Sequence, residues 1–196
     1  IIACKDGGLV YFFSMATSFT KAALGAEGVG KDINLIVCDL GPGSFTGIRI
    51  GVATFKAFSD NINIPCIGIS SIEVLAYNIK NDGLICSTID CKNDNCYFAL
   101  YELSNGNYTV LEQPCAKTVQ EVLDLLDKKY TNKSIKFVGD GIPTKSTDCY
   151  LNIENLGIAG FKKFESTEVI NENVLPLYLK KPQAQKQLEE KLKNSI

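Results

Sequence analysis

The residues with the clearest chemical potential form one run, Gly41-Pro42-Gly43-Ser44-Phe45-Thr46-Gly47, followed directly by Ile48-Arg49-Ile50-Gly51. Glycines at this density permit positive φ and close approach by another group. The run follows an apolar stretch and opens one of helical length, so Ser44 or Thr46 can cap a helix. Free N–H groups at a helix start attract phosphate or carboxylate. Two readings stand: an anion-binding loop, or a tight turn whose glycines let a helix pack closely. The run is not a Walker A loop, which needs G-x-x-x-x-G-K-[ST]. Asp39, Asp90 and Asp140 each close an expected strand. Strand-end carboxylates can hold a metal or act as a general base. They also make satisfied turns and helix caps.

Composition removes several chemistries. The chain has 196 residues and no histidine. Ser-His-Asp and Cys-His nucleophiles are therefore excluded, as are His-based zinc sites such as H-E-x-x-H. The eight cysteines contain no Cys-x-x-Cys pair, and Cys38, Cys66 and Cys86 lie inside apolar runs. Such cysteines behave as small buried hydrophobes, and reduced thiols fit a cytoplasmic location. The five-residue spacings of Cys86, Cys91 and Cys96 do not match a zinc knuckle, so no metal is expected. A net charge of −2 argues against a strongly basic nucleic-acid binder. No run of about 18 apolar residues is present, so no membrane span is expected.

The elements that must position these residues follow from pattern. Gly7-Gly8 between IIAC and LVYFF reads as a hairpin, and 14–24 as a weak helix. Asn34–Leu40 is a buried strand, Ile48–Ser59 a helix and Pro65–Ile69 a short strand. Ser70 and Glu73 fit a capping box that opens a helix to about Lys80; Ser14, Ser70 and Ser71 read as caps. Strands are expected at Leu84–Asp90, Cys96–Leu103 and Tyr108–Leu111, with Asn105-Gly106 as a hairpin turn. Tyr97, Phe98 and Tyr101 then fall in core or on the sheet surface. Thr118 and Glu121 cap a helix to about Tyr130, and Ile135–Val138 is a strand. The segment 183–196 reads as a polar helix or tail. Hairpins alternating with helices imply an α/β fold with mixed sheets.

The helix after the glycine run carries a second signal. Ile48, Ile50, Val52, Phe55 and Phe58 surround its axis, with Gly51, Ala53 and Ala57 between them. A helix apolar on most faces is buried on most faces. Either it is wholly internal, or one face meets its own sheet and the other meets another chain. The second reading makes Arg49, Ile50, Gly51, Ala53, Thr54 and Ala57 an interface, with Arg49 as charged anchor.

GPGSFTGIRIG resembles the signature of the TsaB (YeaZ) family. The segments 67–76, 89–101, 138–141 and 175–182 resemble further family landmarks. The resemblance implies an actin-like, Hsp70-like ATPase fold with two ribonuclease H-like lobes, 1–80 and 81–182. It implies a non-catalytic partner that activates the TsaD subunit in threonylcarbamoyladenosine modification of tRNAs reading ANN codons. The implied partners are TsaD, the ATPase TsaE and a second copy of the chain in a homodimer, with tRNA met only through the complex. Threonylcarbamoyl-adenylate would come from a separate enzyme, TsaC. Family members open with a strand reading like ILAIDTS, whereas this chain begins at what reads as the following strand. The first phosphate-loop strand is therefore expected to be missing, and no cofactor is expected. Two alternatives belong to the same superfamily: a glycoprotease-like metallopeptidase and a sugar-kinase-like ATPase.

Overall fold

The computed structural model describes residues 8–12, 33–146, 148–166 and 174–180. The helix expected at 14–24 and the tail at 183–196 lie outside the described residues. Strands β1 (Gly8–Phe12), β2 (Ile33–Asp39) and β3 (Cys66–Ile69) form one sheet, in that order. β1 pairs parallel with β2, and β2 parallel with β3. Among the described residues, the run expected as the second arm of a hairpin pairs parallel with β2; IIAC, its expected hairpin partner, lies outside the described residues. β4 (Gly83–Asp90), β5 (Asn95–Ser104), β6 (Asn107–Thr118) and β7 (Ile135–Val138) form a second sheet, ordered β6-β5-β4-β7. It is mixed: β4–β5 and β5–β6 are antiparallel, β4–β7 parallel. β6 runs well past the expected Leu111. It continues because the register shifts against β5 between Phe98 and Tyr101, which gives Pro114 the irregular position that proline needs in a strand.

Among the described residues, four helices cover these sheets: α1 (Phe45–Ile62), α2 (Ser71–Ala76), α3 (Val119–Lys129) and α4 (Ile153–Ser166). β2 shows why the first sheet needs cover on both faces. Leu35 and Val37 pack with Leu156 and Ala159 of α4, while Ile36 and Cys38 pack with Ile48, Val52 and Phe55 of α1. A strand buried on both faces reads as a continuous apolar run rather than an alternating one. α2 ends at Ala76, short of Lys80. Its Val74 joins the core of the first sheet, and its Ile72, Leu75 and Ala76 join Ile85, Ala99 and Tyr101 of the second. On the far face of the second sheet, Val122 and Leu126 of α3 pack against Cys86, Phe98 and Leu100. The order of layers is α1, first sheet, α2 with α4, second sheet, α3.

α4 falls in sequence beyond residue 81, yet it packs on the first sheet. Its approach to β2 is close: a Cβ on Gly160 would lie 2.4 Å from a Val37 methyl. The seven described cysteines are free thiols, and Cys4 lies outside the described residues. Burial pushes the Cys66 and Cys96 thiols up to about 11. Among the described residues no helix is long and apolar enough to cross a membrane.

Candidate protein-binding face

Asp39 ends β2 and is buried to 7% exposure. Its Oδ1 accepts the Gly41 N–H at 2.8 Å, and the Ser71 hydroxyl lies 2.7 and 2.9 Å from its two oxygens. The Ser71 N–H in turn donates to the Gly41 carbonyl at 2.8 Å. The start of the glycine run is thereby tied to the first turn of α2. Burial pushes the Asp39 carboxyl above the usual carboxylate range, opposed by the bonds from Gly41 and Ser71. This carboxylate is enclosed and fully engaged, as in a satisfied turn. Sequence reading took Ser71 for a cap. Thirty-two residues separate it from Asp39, and no local spacing signals that pairing.

Gly41 has φ +88°, and a Cβ there would meet Ile48 Cδ1 at 2.4 Å. Its glycine requirement is one of backbone and packing, which supports the tight-turn reading. Ser44, not Thr46, caps α1: its hydroxyl accepts from Gly47 N–H at 3.4 Å, and the Ile48 N–H reaches the Ser44 carbonyl at 2.9 Å. This cap starts the helix at Phe45 rather than Ile48. Gly41 and Pro42 are buried, Gly43 to Thr46 exposed and Gly47 half-buried.

α1 places Ile48, Val52, Phe55 and Ser59 inward. Arg49, Ile50, Ala53 and Ala57 are exposed and Thr54 is half-buried. Gly51, also among the expected interface residues, is buried. Close approach from outside therefore depends on Ala53 and Ala57. The outer row includes large apolar groups: Phe45 at 49%, Ile50 at 45% and Phe58 at 39% exposure. Phe45 stacks on Tyr178 with centroids 5.1 Å apart, and the Arg49 guanidinium lies 5.3 Å from the Phe45 centroid. The Leu177 N–H donates to the Leu40 carbonyl at 2.9 Å, which holds this aromatic in place. Tyr178 was missed as a contributor; its sequence signal was only the family landmark at 175–182.

Of the other strand-end aspartates, Asp90 makes a local turn and Asp140 a long-range bond that ties β7's end to β4's. Asp90 Oδ1 accepts the Lys92 N–H at 2.9 Å, and Asp140 Oδ1 accepts the Asp90 N–H at 2.8 Å. The Lys92 ammonium also lowers the Asp90 carboxyl below its ordinary range. Among the described residues, no group of three or more Cys, Asp or Glu stands together as a metal site. Ser70 accepts from Glu73 N–H at 3.1 Å as a cap, while Ser14 lies outside the described residues. Phe98 and Tyr101 are core and Tyr97 is half-buried.

A family model described as "TsaD: tRNA N6-adenosine threonylcarbamoyltransferase" matches residues 14–187. The chain belongs to this family, on its TsaB (YeaZ) branch. Over 111 residues it is 36% identical to the "tRNA threonylcarbamoyladenosine biosynthesis protein TsaB" of Bacillus subtilis (strain 168), covering 56% of this chain and 47% of that protein. The chain thus spans about half the length of that TsaB relative. A shorter stretch of 37 residues is 73% identical to the "L-erythro-3,5-diaminohexanoate dehydrogenase" of Acetoanaerobium sticklandii, covering 19% of this chain and 11% of that enzyme. The fold is similar to the crystal structure of an uncharacterized Pseudomonas aeruginosa protein "with similarity to peptidase YEAZ". The TM-score is 0.63 at 22% identity, over 76% of this chain and 74% of that one. The TsaB-like chain therefore has the actin-like architecture, with one parallel and one mixed sheet among the described residues and helices packed on them.

Proposed function

We propose that this TsaB-like chain is a non-catalytic partner in tRNA threonylcarbamoyladenosine biosynthesis. It docks on a TsaD-like catalytic subunit and activates it for modification of ANN-decoding tRNAs. The observation that carries this reading is the outward row of α1, where Phe45, Arg49, Ile50, Ala53, Ala57 and Phe58 stand uncovered. Exposed apolar residues with an Arg among them have the composition of an interface centre. The membership of the TsaD family supports the choice of partner. A chain without histidine lacks the commonest proton-transfer group and metal ligand, which favours an accessory role. The same face would serve a homodimer, so homodimer and heterodimer compete. A TsaE-like ATPase joins the assembly, and tRNA is met through the complex. A two-lobe division near residue 80, with α4 returning to the first lobe, and a cytoplasmic location belong to the same reading.

The test is reconstitution. Purified TsaD, TsaE and a threonylcarbamoyl-adenylate source are mixed with an ANN-decoding tRNA, with and without this chain. Modified nucleoside is measured by mass spectrometry. The reading requires that omission of the chain abolish modification and that the chain co-purify with TsaD. Full modification without it would overturn the proposal.

A further inference from the structure

Phe45, Arg49 and Tyr178 form one cluster at the start of α1. The Phe45 ring lies against Tyr178 with centroids 5.1 Å apart, and the Arg49 guanidinium stands 5.3 Å from the Phe45 centroid. The cluster is anchored from two sides. Ser44 caps α1 directly before Phe45. In the 174–180 segment, Val174 is buried with Ile48 and Phe55, and the Leu40 carbonyl holds the Leu177 N–H at 2.9 Å. Arg49 itself is exposed. Among the described residues no ion pair or hydrogen bond engages its guanidinium, whose contact is the Phe45 ring. The other cation of α1 differs: Lys56 is paired with Asp60 at 2.8 Å. The helix thus carries one unpaired positive charge, set among the exposed apolar groups Phe45, Ile50 and Phe58.

A guanidinium on an aromatic face keeps its planar fork of N–H donors free for a two-bond contact. Carboxylate and phosphate both match that fork. The surroundings separate them. A nucleic-acid backbone is held by several cations together, whereas α1 offers one, and the net charge of the chain is −2. The apolar groups around Arg49 suit a protein surface, which sheds water from the contact. A charge left unpaired in such a place is costly, so the partner has to supply the anion. We infer that Arg49 takes an Asp or Glu carboxylate of the docking subunit in a two-bond contact, with Phe45 and Tyr178 as the apolar wall that orients the guanidinium. The inference rests on the proposed docking of a TsaD-like subunit at α1. It names the partner's chemistry there: an apolar surface carrying one acidic residue.

The test is calorimetric titration of purified TsaD into the full chain, at low and at high salt. Arg49→Gln is expected to weaken binding at least tenfold, because it leaves the partner's carboxylate unpaired. Arg49→Glu is expected to weaken it further, through like-charge contact. Arg49→Lys recovers part of the loss, since it keeps the charge without the fork. Wild-type affinity falls with salt more steeply than that of Arg49→Gln. Tyr178→Ala weakens binding several-fold and leaves the salt dependence in place. Lys129→Gln, on α3, removes the same charge and leaves binding unchanged. Arg49 is exposed, so its variants should melt with the wild type by circular dichroism. The inference fails if Arg49→Gln and Arg49→Glu bind as the wild type does, or lose the same amount as each other. A loss for Lys129→Gln equal to that for Arg49→Gln would overturn it in favour of general attraction. Arg49-dependent binding of tRNA without TsaD would overturn the assignment to a protein carboxylate. Wild-type binding with unaffected Arg49 variants sinks this inference alone; no binding by the wild type sinks the proposed docking with it.

Discussion

Asp39 shows how a chemically suggestive side chain can serve architecture. Its carboxylate gathers the Gly41 N–H and the Ser71 hydroxyl inside the protein. Asp39→Ala orphans two buried donors, and each is expected to cost about 1–3 kcal/mol. Urea denaturation measures the loss; a variant as stable as the wild type would show that water satisfies the donors. The carboxyl is also raised by burial above its ordinary 3.8. A raised folded-state value means that the folded protein holds its proton more tightly than the unfolded chain. The contribution to stability is complete below the unfolded value and is lost as pH rises through the folded one. Glu73, raised from 4.5 by burial, acts with the same sign. Stability is therefore expected to fall as pH rises from about 4 toward neutrality, and Asp39→Asn to make that fall shallower. Denaturation midpoints of both proteins across this range check the slope. A steeper slope in the variant would contradict the assignment.

Helix α1 joins what was legible in the sequence to what was not. Its apolar residues on several sides signalled two covered faces, and one is covered in the chain by the first sheet. The glycine run was legible as a tight turn, because Gly41 needs φ +88° and space beside Ile48. The capping pair Thr118 and Glu121 was legible as well, and both of its bonds are made. Other features depend on partners far along the chain. β1 lies parallel beside β2, and α2, expected to reach about Lys80, stops at Ala76 with Tyr77 as its C-cap. Neither depends on local propensity. Gly51 is buried, so a partner cannot be probed there without disturbing the chain's own packing. The test of the outer row therefore belongs to Ile50, at 45% exposure. Ile50→Glu is expected to change stability by no more than about 0.5 kcal/mol, as exposed substitutions usually do. On the proposed interface it should weaken TsaD capture at least tenfold, about 1.4 kcal/mol. Co-purification and light scattering read the loss; unchanged capture would place the interface elsewhere. On α4, Gly160→Ala puts a methyl against Val37. Overpacking of that kind is expected to cost about 1–3 kcal/mol, read as a lowered denaturation midpoint.

The five layers are tied together by a short segment without regular secondary structure. In residues 174–180, Val174 is 4% exposed and packs with Ile36, Ile48 and Phe55, and the Leu177 N–H reaches the Leu40 carbonyl. Leu179 then packs against the core that includes Ile72, Leu75 and Ile85, and the Lys180 ammonium donates to the Cys91 carbonyl at 3.2 Å. The segment starts on the outer face of the first sheet and ends at the β4–β5 turn of the second. The family landmark at 175–182 marked it in the sequence, but not its course, because its contacts lie far upstream, at Ile36 to Phe55 and at Ile72 to Cys91. Its contribution separates from that of the tail beyond it. Val174→Ala removes two buried methyl equivalents, a loss of about 1.5 kcal/mol. For a chain of this size that corresponds to about 3–6 °C in Tm. Ending the chain at residue 173 removes all four contacts together and should lower Tm further than Val174→Ala. It also takes Tyr178 away from Phe45 and so should weaken capture of TsaD. Ending the chain at residue 182 leaves every one of these contacts in place and should leave Tm nearly unchanged, since the polar 183–196 segment offers little apolar surface to bury. Calorimetric melts of the three proteins decide the matter. Equal melting temperatures for the chains ending at 173 and 182 would mean that the two sheets hold together without the segment. A large drop for the chain ending at 182 would instead assign the stabilising contacts to residues beyond it.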